Sequence, residues 1–482
     1  HLREALEPVD GPCGAARPVL TSVTPTQKRT MTEETMTIRG LGFQPGWLTR
    51  VGSDDIPAVT AVSPTRMSGA LPPTPGRIGP KDVAVIAPGG AVLATRKAAL
   101  RFLLTNLRFQ EVHLPIVGIN YSRGWLTAVP ENDGTMSMVV TNYTFRGSGA
   151  PAVLVRNLGL GRSAQTITFE PTNLGAVKYV AAVDLDGDGK RQEVVFLSNE
   201  GVDGVPISME ARGPASLLTY RVEGAKLTRL DYQKVDDVFL FNGGGVTRRL
   251  GAVRALPGER RESLVFYNDK VYEYQRNGSG FQLSPIMVPA KFVPGAMVLA
   301  SIIPGAPAGV LIDGHFYGPL GGMFKSYDSP HAFVGFCRDF VVGDFDGDGV
   351  PDGAGSYVSL YTAMNRTPRE SPEPLWAVPP TVLPCGKTAG ALATGDLDGD
   401  GRDELACTGV SNNNDGQASL FLHQYNGAAW VQVPITVSLP SNDEVAGYGA
   451  VIADFDGDGR QDVATTFVDP RNGLLIAFNQ SE

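Results

Sequence analysis

The sequence predicts an all-β protein in which a β-propeller of about seven units follows a smaller N-terminal β domain. Three observations support this fold class. The 482 residues include 58 glycines and 36 prolines without a three-residue period, which favours a turn-rich β protein over a collagen-like one. An acidic six-residue frame recurs four times, and short apolar runs flank each copy. The length also exceeds what one hydrophobic core usually organises, so we expect several domains or a repeat.

The acidic frame is the clearest internal repeat. Its copies are separated by 160, 52 and 58 residues, and the first separation is close to three periods of about 53 residues. The copies begin at Asp184, Asp344, Asp396 and Asp454. Degenerate units, each a turn-rich stretch followed by an apolar run, are expected at 130–140, 255–266 and 303–312. The total is about seven units.

Each unit is expected to consist of short strands. Mostly apolar runs end at the four acidic loops, at 179–183, 340–343, 391–395 and 450–453. Short strands interrupted by Gly, Pro, Asn and Asp at regular spacing indicate β structure. Four such strands in each repeat, taken about seven times, are typical of a β-propeller. Residues 107–117 are expected to supply the outer strand that closes the ring.

The acidic loops have the chemistry of a metal site. Carboxylates at positions 1, 3 and 5 converge when the chain turns tightly, and glycines at positions 4 and 6 permit that turn. Oxygen ligands select a hard cation, for which Ca²⁺ is best suited. Position 7 is expected to offer its backbone carbonyl and position 9 a closing carboxylate. Together the loops predict about four calcium sites.

The expected metal-binding positions are Asp184, Asp186, Asp188, Lys190, Gln192 and Glu193; Asp344, Asp346, Asp348, Val350 and Asp352; Asp396, Asp398, Asp400, Arg402 and Glu404; and Asp454, Asp456, Asp458, Arg460 and Asp462. In the first loop position 9 is Gln192 and the acid follows at Glu193, so that site is either one residue longer or weaker. The loops are not EF-hands, because their twelfth positions lack the required Glu.

These loops, written D-x-D-G-D-G-x-x-D/E and lying between short strands, resemble the FG-GAP (VCBS-type) repeats of integrin α-subunit propellers and of related bacterial and fungal secreted proteins. The resemblance covers residues 104–482. It implies a seven-bladed propeller with Ca²⁺ in hairpin loops on one face, usually extracellular and used for adhesion or ligand binding. The degenerate units lack the carboxylates and are expected to bind no metal.

Residues 18–103 differ in kind from the repeats. A Ser-x-x-Pro start at 22–25 and an Ile-x-Gly-x-Gly-Phe turn at 38–43 belong to an alternating series of strands and turns. This series resembles an IPT/TIG domain, which implies a small immunoglobulin-like β-sandwich acting as a spacer or binding partner. Residues 1–17 are interpreted as a leader.

Composition excludes some functions and leaves others open. The net charge of −9 gives no reason to expect nucleic acid, and the chain contains no apolar run long enough to span a membrane. The acidity is concentrated, because sixteen of the fifty acidic residues are the carboxylates expected to bind metal in the four loops. The start at His1 without a signal-like segment predicts a processed or trimmed form. The cysteines at 13, 337, 385 and 407 allow three pairings, among which the sequence does not choose.

The leading functional hypothesis is a calcium-stabilised binding or adhesion protein, secreted or on the cell surface (the outer surface in a bacterium). Its propeller would recognise a glycan or protein ligand. A structural subunit of a surface assembly or appendage is one alternative, and a polysaccharide lyase or hydrolase on a propeller scaffold is another. The common hydrolase, zinc-protease and P-loop motifs are absent from the sequence, so no catalytic residue is predicted. Trp125, Trp376 and Trp430 are sugar-stacking candidates, although aromatic residues between blades are more often part of the core.

Overall fold

The structure is a computed structural model. It describes residues 17–30, 32–74, 78–104, 107–115, 125–141, 152–169, 174–200, 214–239, 250–253, 260–267, 271–287, 296–303, 308–312, 315–319, 326–327, 339–356, 359–368, 375–377, 380–386, 389–410, 418–433, 435, 438–439, 449–467 and 473–481. Throughout these ranges the regular secondary structure is β-strand and no helix occurs. The chain forms two compact units, which divide mainly between residues 106 and 107; residues 398–400 and 481 are grouped with the first unit.

The first unit contains two sheets around one core. One sheet has the order β1-β3-β7-β6 and the other the order β2-β9-β8-β4-β5. The strands are β1 (Val19–Thr24), β2 (Gln27–Arg29), β3 (Glu34–Leu41), β4 (Leu48–Val51), β5 (Asp54–Ile56), β6 (Thr60–Ser63), β7 (Arg66–Leu71), β8 (Gly79–Ile86) and β9 (Val92–Leu103). Side chains alternate between the core and solvent along β3, as the two-residue period of a strand requires.

The Ile-x-Gly-x-Gly-Phe turn has a packing reason in this unit. A Cβ on Gly40 would overlap the carbonyl oxygen of Val19 on the neighbouring strand. Gly42 has a φ of 79°, a conformation that favours glycine. The turn directs Ile38 and Phe43 into the core, where both are buried.

Among the described residues, the second unit contains seven antiparallel sheets, numbered sheet 1 to sheet 7 along the chain; six have four strands and sheet 6 has five. The strands of sheets 1 to 3 are β11 (Leu126–Pro130), β12 (Met136–Thr141), β13 (Ala152–Arg156) and β14 (Gln165–Thr168); β15 (Leu174–Val183), β16 (Glu193–Glu200), β17 (Pro214–Glu223) and β18 (Lys226–Phe239); and β19 (Leu250–Val253), β20 (Ser263–Tyr267), β21 (Val271–Asn277) and β22 (Gly280–Met287).

The strands of sheets 4 to 7 are β23 (Met297–Ala300), β24 (Gly309–Ile312), β25 (His315–Pro319) and β26 (Ser326–Tyr327); β27 (Asp339–Gly343), β28 (Asp352–Ser356), β29 (Leu360–Ala363) and β30 (Thr381–Leu383); β31 (Ala389–Gly395), β32 (Glu404–Val410), β33 (Ala418–Tyr425) and β34 (Trp430–Val433), with β35 (Ser438–Leu439) also paired to β33; and β36 (Ala450–Ala453), β37 (Asp462–Phe467), β38 (Gly473–Asn479) and β10 (Phe109–Pro115).

The seven sheets follow one another in a propeller-like order. The first strand of each sheet lies next to the first strand of the following sheet, and β36 of sheet 7 lies next to β11 of sheet 1. Consecutive strands within a sheet pair in an up-and-down order. The four strand runs expected before the acidic loops fall within β15, β27, β31 and β36.

Sheet 7 is completed by a strand from the start of the unit. β10 pairs antiparallel with β38, from Phe109 opposite Asn479 to Pro115 opposite Gly473. β10 is therefore the outer strand of sheet 7, at the place where the sequence predicts a closing strand. The residues of β38 are buried along its whole length, whereas β10 alternates between exposed and partly buried residues.

The degenerate units also fall on strand pairs. The 130–140 unit spans the turn between β11 and β12, and the 255–266 and 303–312 units lead into β20 and β24. Residues 254–259 and 304–307 lie outside the described residues. No helix among the described residues is long and apolar enough to cross a membrane.

Candidate metal centre in four acidic loops

The four acidic loops occupy the same place in four different sheets. Each connects the first strand of its sheet to the second: loop 1 (184–193) in sheet 2, loop 2 (344–352) in sheet 5, loop 3 (396–404) in sheet 6 and loop 4 (454–462) in sheet 7. Since each hairpin pairs the residue before the loop with the last residue of the loop, the sheets present the four loops in equivalent registers.

The first aspartate of each loop is held by backbone N–H groups of the same loop. In loop 2, Asp344 Oδ1 accepts a hydrogen bond from Gly347 N and Oδ2 accepts one from Gly349 N, both at 2.9 Å. The first aspartates of loops 1 and 4 make the same two bonds. In loop 3 the bond from the sixth residue, Gly401, is present at 2.9 Å. These bonds fix the carboxylate orientation without a metal ion.

The aspartates at positions 3 and 5 are oriented in the same way. Asp346 Oδ1 accepts the N–H of Asp348 at 3.3 Å, and Asp348 Oδ1 accepts the N–H of Val350 at 2.8 Å. Loops 1 and 4 repeat both bonds, and loop 3 repeats the first at 2.9 Å. Each loop is therefore a series of short side-chain-to-backbone turns.

The glycines at positions 4 and 6 have the conformation that the sequence predicts for them. All eight have φ between 77° and 89°. Residues with a Cβ rarely adopt these angles, so a substitution there would be strained. The tight turn that gathers the carboxylates depends on these glycines.

The carboxylates of each loop converge on one point. In every loop three acids each offer an oxygen, and these oxygens lie within 4.8 Å of one another. The converging acids are Asp184, Asp186 and Asp188; Asp344, Asp346 and Asp348; Asp396, Asp398 and Glu404; and Asp454, Asp456 and Asp462. Among the residues that the structure describes, such groups occur in these four loops and not in the degenerate units.

The closing acid of each loop is buried beneath the turn. Asp352 Oδ2 accepts the N–H of Phe345 at 3.0 Å, and Asp462 Oδ2 accepts that of Phe455 at 2.9 Å. Glu404 makes the corresponding bond in loop 3, to the N–H of its second residue. The last acid thus ties the end of each loop to its beginning.

Loop 1 reaches the same arrangement with one more residue. Glu193 Oε2 accepts the N–H of Leu185 at 3.1 Å, and Glu193 pairs across the hairpin with Val183. Gln192 instead donates from Nε2 to the carbonyl oxygen of Pro130 at 3.2 Å. Of the two candidates that the sequence offers, Glu193 therefore occupies the position of the closing acid.

Burial makes three of the closing acids difficult to ionise. Burial, assisted by the neighbouring charge of Asp346, raises the pKa of Asp352 to about 7. It raises the pKa of Asp462 to about 8. Burial and the charge of Asp186 raise the pKa of Glu193 to about 7, although Arg221 acts in the opposite direction. A buried carboxylate beside other acids is stabilised by a cation, so these loops have the electrostatic character of a cation site.

The residues at position 7 have side chains that serve other contacts. Lys190 donates from Nζ to Asn132 Oδ1 at 3.0 Å, and Arg402 donates from Nη1 to the carbonyl oxygen of Tyr425 at 3.2 Å. Arg460 forms an ion pair with Asp458. The variable side chains at this position are compatible with a role for the backbone carbonyl alone.

A contact between neighbouring sheets was not predicted from the sequence. Asp403, the eighth residue of loop 3, accepts the N–H of Asp344 at Oδ2 and donates its own N–H to the Asp344 carbonyl oxygen, both at 2.9 Å. Glu262 of sheet 3 makes the same reciprocal pair with Asp184, at 3.0 and 2.7 Å. In sequence, the signal is an acid immediately before the second strand of the following sheet.

The tryptophan candidates lie in or near the core. Trp125 and Trp376 are buried. Trp430 is partly buried and packs edge-on against Phe345 and Tyr425, with ring centroids 5.1 and 5.7 Å apart. Their positions favour a packing role over exposed stacking on a sugar.

Two of the four cysteines form a disulfide bond. Cys385, which follows the outer strand of sheet 5, is bonded to Cys407 on β32 of sheet 6. The sequence left this pairing open, and Cys13 and Cys337 lie outside the described residues. Nearby, His423 is buried and donates from Nε2 to the carbonyl oxygen of Pro384 at 2.8 Å. Burial lowers the pKa of His423 to about 4, so this histidine is neutral at ordinary pH.

A cavity of about 180 Å³ lies among the first strands of sheets 4 to 7. Its lining is almost entirely aliphatic, including Val298, Val341 and Val451, with Thr394 as a polar member. It contains none of the paired acids that glycoside hydrolysis uses.

Part of the chain matches a known family model. Residues 396–465 match the model of the FG-GAP-like repeat. The matched segment begins with loop 3 and includes loop 4. Among curated proteins no match to the sequence is found.

Several solved structures resemble the fold at low sequence identity. A rhamnogalacturonan lyase from Bacillus licheniformis shares 14% identity with a TM-score of 0.49, covering 96% of this chain and 89% of that chain. The rhamnogalacturonan lyase YesW shares 14% identity with a TM-score of 0.46, covering 95% and 88%. An auxiliary nutrient binding protein from Bacteroides ovatus shares 12% identity with a TM-score of 0.38, covering 96% and 98%.

Proposed function

We propose that this chain is a calcium-stabilised binding protein whose acidic loops hold Ca²⁺. The observation that carries the proposal is the convergence of three carboxylate oxygens within 4.8 Å in each loop, at the same hairpin of four different sheets. Oxygen-only donors select a hard cation, and Ca²⁺ accepts the irregular geometry that such loops provide. The bound ion would place a positive charge beside the buried closing acids.

The residues that would hold the ion fall into three groups. The aspartates at positions 1, 3 and 5 and the closing acids Glu193, Asp352, Glu404 and Asp462 supply carboxylates. The backbone carbonyls of Lys190, Val350, Arg402 and Arg460 supply further oxygens. Gln192 is not included, because its side chain is directed to Pro130.

The same proposal includes the architecture and its location. The cyclic order of the first strands and the closure by β10 support a seven-bladed propeller. The two sheets of the first unit and the packing of Phe43 support an immunoglobulin-like domain of the IPT/TIG type. A calcium-stabilised propeller with a disulfide bond suits a secreted or cell-surface protein. Its loop-bearing face would bind a glycan or protein ligand.

Calcium removal tests the metal assignment. Ligand binding to the folded state alone stabilises a protein by mass action, about 2.7 kcal/mol for each site at a free ligand concentration of 100 times the Kd. EGTA should therefore lower the melting temperature, and added Ca²⁺ should restore it, whereas Mg²⁺ should restore less. An unchanged melting temperature after complete chelation would refute the metal assignment.

Single-loop variants extend this test. Asp456→Ala and Asp346→Ala should each reduce the calcium-dependent rise in melting temperature without abolishing the fold, because the other loops remain. Asp133→Ala is a matched control, since Asp133 is an exposed acid in the degenerate 130–140 unit. Calorimetric titration would give the number of ions bound by each variant.

The ligand requires a separate screen. A glycan array and a cell-surface pull-down, each performed with Ca²⁺ and with EGTA, would identify a partner whose binding depends on the ordered loops. Loss of a specific signal in EGTA and its recovery with Ca²⁺ is the expected result. A lyase or hydrolase product released from polysaccharide in the same assays would instead favour the enzyme alternative.

A further inference from the structure

The carboxylates of loop 1 already contact a cation of the chain itself, the guanidinium group of Arg221. Arg221 forms an ion pair with Asp186, and its Nη2 lies 3.0 Å from Glu193 Oε1 and 3.5 Å from Asp188 Oδ2. A second guanidinium group, that of Arg276, lies 4.0 Å from Asp186 Oδ2. One guanidinium nitrogen therefore contacts three of the four acids that would bind a cation in this loop.

The β-sheet holds Arg221 in this position. Arg221 lies on β17 directly opposite Glu193 on β16. Its side chain is 24% exposed, and the Glu193 side chain that it contacts is 1% exposed. An arginine keeps its positive charge at all ordinary pH values. The contact is therefore a partly buried, permanent ion pair rather than a mobile surface one.

In the other three sheets the ladder between the second and third strands begins one residue after the closing acid, so no arginine lies in register opposite that acid. The first pairs are Gly353 and Ala363, Leu405 and His423, and Val463 and Ala477. Arg366, which follows β29, forms ion pairs with Asp346 and, at 3.9 Å, with Asp348 of loop 2. However, its side chain is 45% exposed, against 24% for Arg221.

We propose that Arg221 takes the place of the metal ion in loop 1, so that this loop is held together by an internal cation. The inference rests on the proposed calcium function of the other loops and replaces, for loop 1, the metal proposed above. A Ca²⁺ entering loop 1 would lie beside a permanent positive charge and would compete with it for the same oxygens. Its affinity there should be lower by on the order of 100-fold than in loop 4.

Two matched variants test this assignment. Asp186→Asn and Asp456→Asn change the same third position in loop 1 and loop 4. In calcium titrations of chelator-treated protein, the wild type should bind three ions tightly. Asp456→Asn should bind two, whereas Asp186→Asn should still bind three. Circular dichroism would confirm that each variant is folded.

Removal of the arginine gives an independent readout. Arg221→Gln should have a lower melting temperature than the wild type in EGTA, because the three acids that Arg221 contacts then lose that cation. Ca²⁺ should reverse that loss, and a fourth tight ion should appear in the titration. Arg366→Gln is the control, since it removes an arginine that pairs with acids of loop 2 and should leave the number of ions unchanged.

The outcomes separate this inference from the proposed function. If the wild type binds four ions with similar affinity and Asp186→Asn loses one of them, the inference is wrong while calcium binding stands. If Arg221→Gln gains no ion and is not rescued by Ca²⁺, the arginine does not substitute for a metal. A wild type that binds no calcium would overturn both.

Discussion

Sheets 1 to 3 and sheets 5 to 7 share one strand order but use different means of stabilisation. The core of sheets 1 to 3 contains eight buried aromatic side chains: Trp125, Phe169, Tyr179, Phe196, Tyr220, Phe266, Tyr272 and Tyr274. Among the described residues, the buried core that joins sheets 6 and 7 is built from Ala, Val and Leu. Sheets 5 to 7, which with their loops also bury Phe340, Phe345, Phe455 and Phe478, carry three of the four acidic loops and the disulfide bond. Loop 1, whose acids contact Arg221, lies in sheet 2, within the more aromatic half formed by sheets 1 to 3. The comparison shows that the three sheets richest in buried aromatic residues carry one acidic loop, whereas sheets 5 to 7 carry three.

The largest expected effect comes from an aromatic core residue in sheets 1 to 3. Phe196 of sheet 2 packs edge-on against Phe169 and Tyr220, with ring centroids 5.0 and 5.9 Å apart. Phe196→Ala should lower the free energy of unfolding by about 3–5 kcal/mol through the lost contacts and the cavity. Denaturant unfolding should show the same loss with Ca²⁺ and with EGTA. Leu405→Ala in sheet 6 is the comparison. If the loss in free energy of unfolding depended on Ca²⁺ for Phe196→Ala but not for Leu405→Ala, the contrast between sheets 1 to 3 and sheets 5 to 7 would be contradicted.

The next prediction concerns the disulfide bond between sheets 5 and 6. Cys385 and Cys407 are separated by 22 positions in sequence. A bond that closes a loop of this length stabilises a protein by about 3 kcal/mol through the entropy of the unfolded chain. Cys385→Ala, Cys407→Ala and the double variant should therefore lose similar amounts, because each breaks the same bond. Additive losses in denaturant unfolding would show that the two cysteines act separately.

The smallest expected effect concerns the contacts between sheets. Asp403→Asn keeps a side-chain oxygen near the N–H of Asp344 but removes a charge, so we expect a loss of about 1 kcal/mol. Glu262→Gln makes the same change beside Asp184 of loop 1. Only Asp403→Asn should also weaken calcium binding, by a few-fold in a titration, because loop 2 needs a metal and loop 1 has Arg221. Equal effects of both variants on calcium binding would remove the distinction between the loops.

The sequence predicted the features that depend on local spacing. The glycines of the loops, the strands before them and the closing strand follow from a repeat that is visible in the chain. The contact of Arg221 with Glu193 depends on a cross-strand register, and the contact of Asp403 with Asp344 depends on the stacking of two sheets. Neither contact corresponds to a spacing that could be recognised as a motif in the sequence. The choice between Gln192 and Glu193 also required the hairpin register, since a shift of one residue changes the face on which a side chain lies.

The pairing of β10 with β38 has a consequence for synthesis. A ribosome adds about 5–20 residues each second, so β10 emerges tens of seconds before its partner strand exists. During that time β10 is an unpaired edge, and edges of this kind invite aggregation. Gln110, Glu111 and His113 place polar groups along it, which is how natural edge strands discourage incorrect pairing. These polar residues therefore reduce incorrect pairing of β10 in the nascent chain until sheet 7 can form.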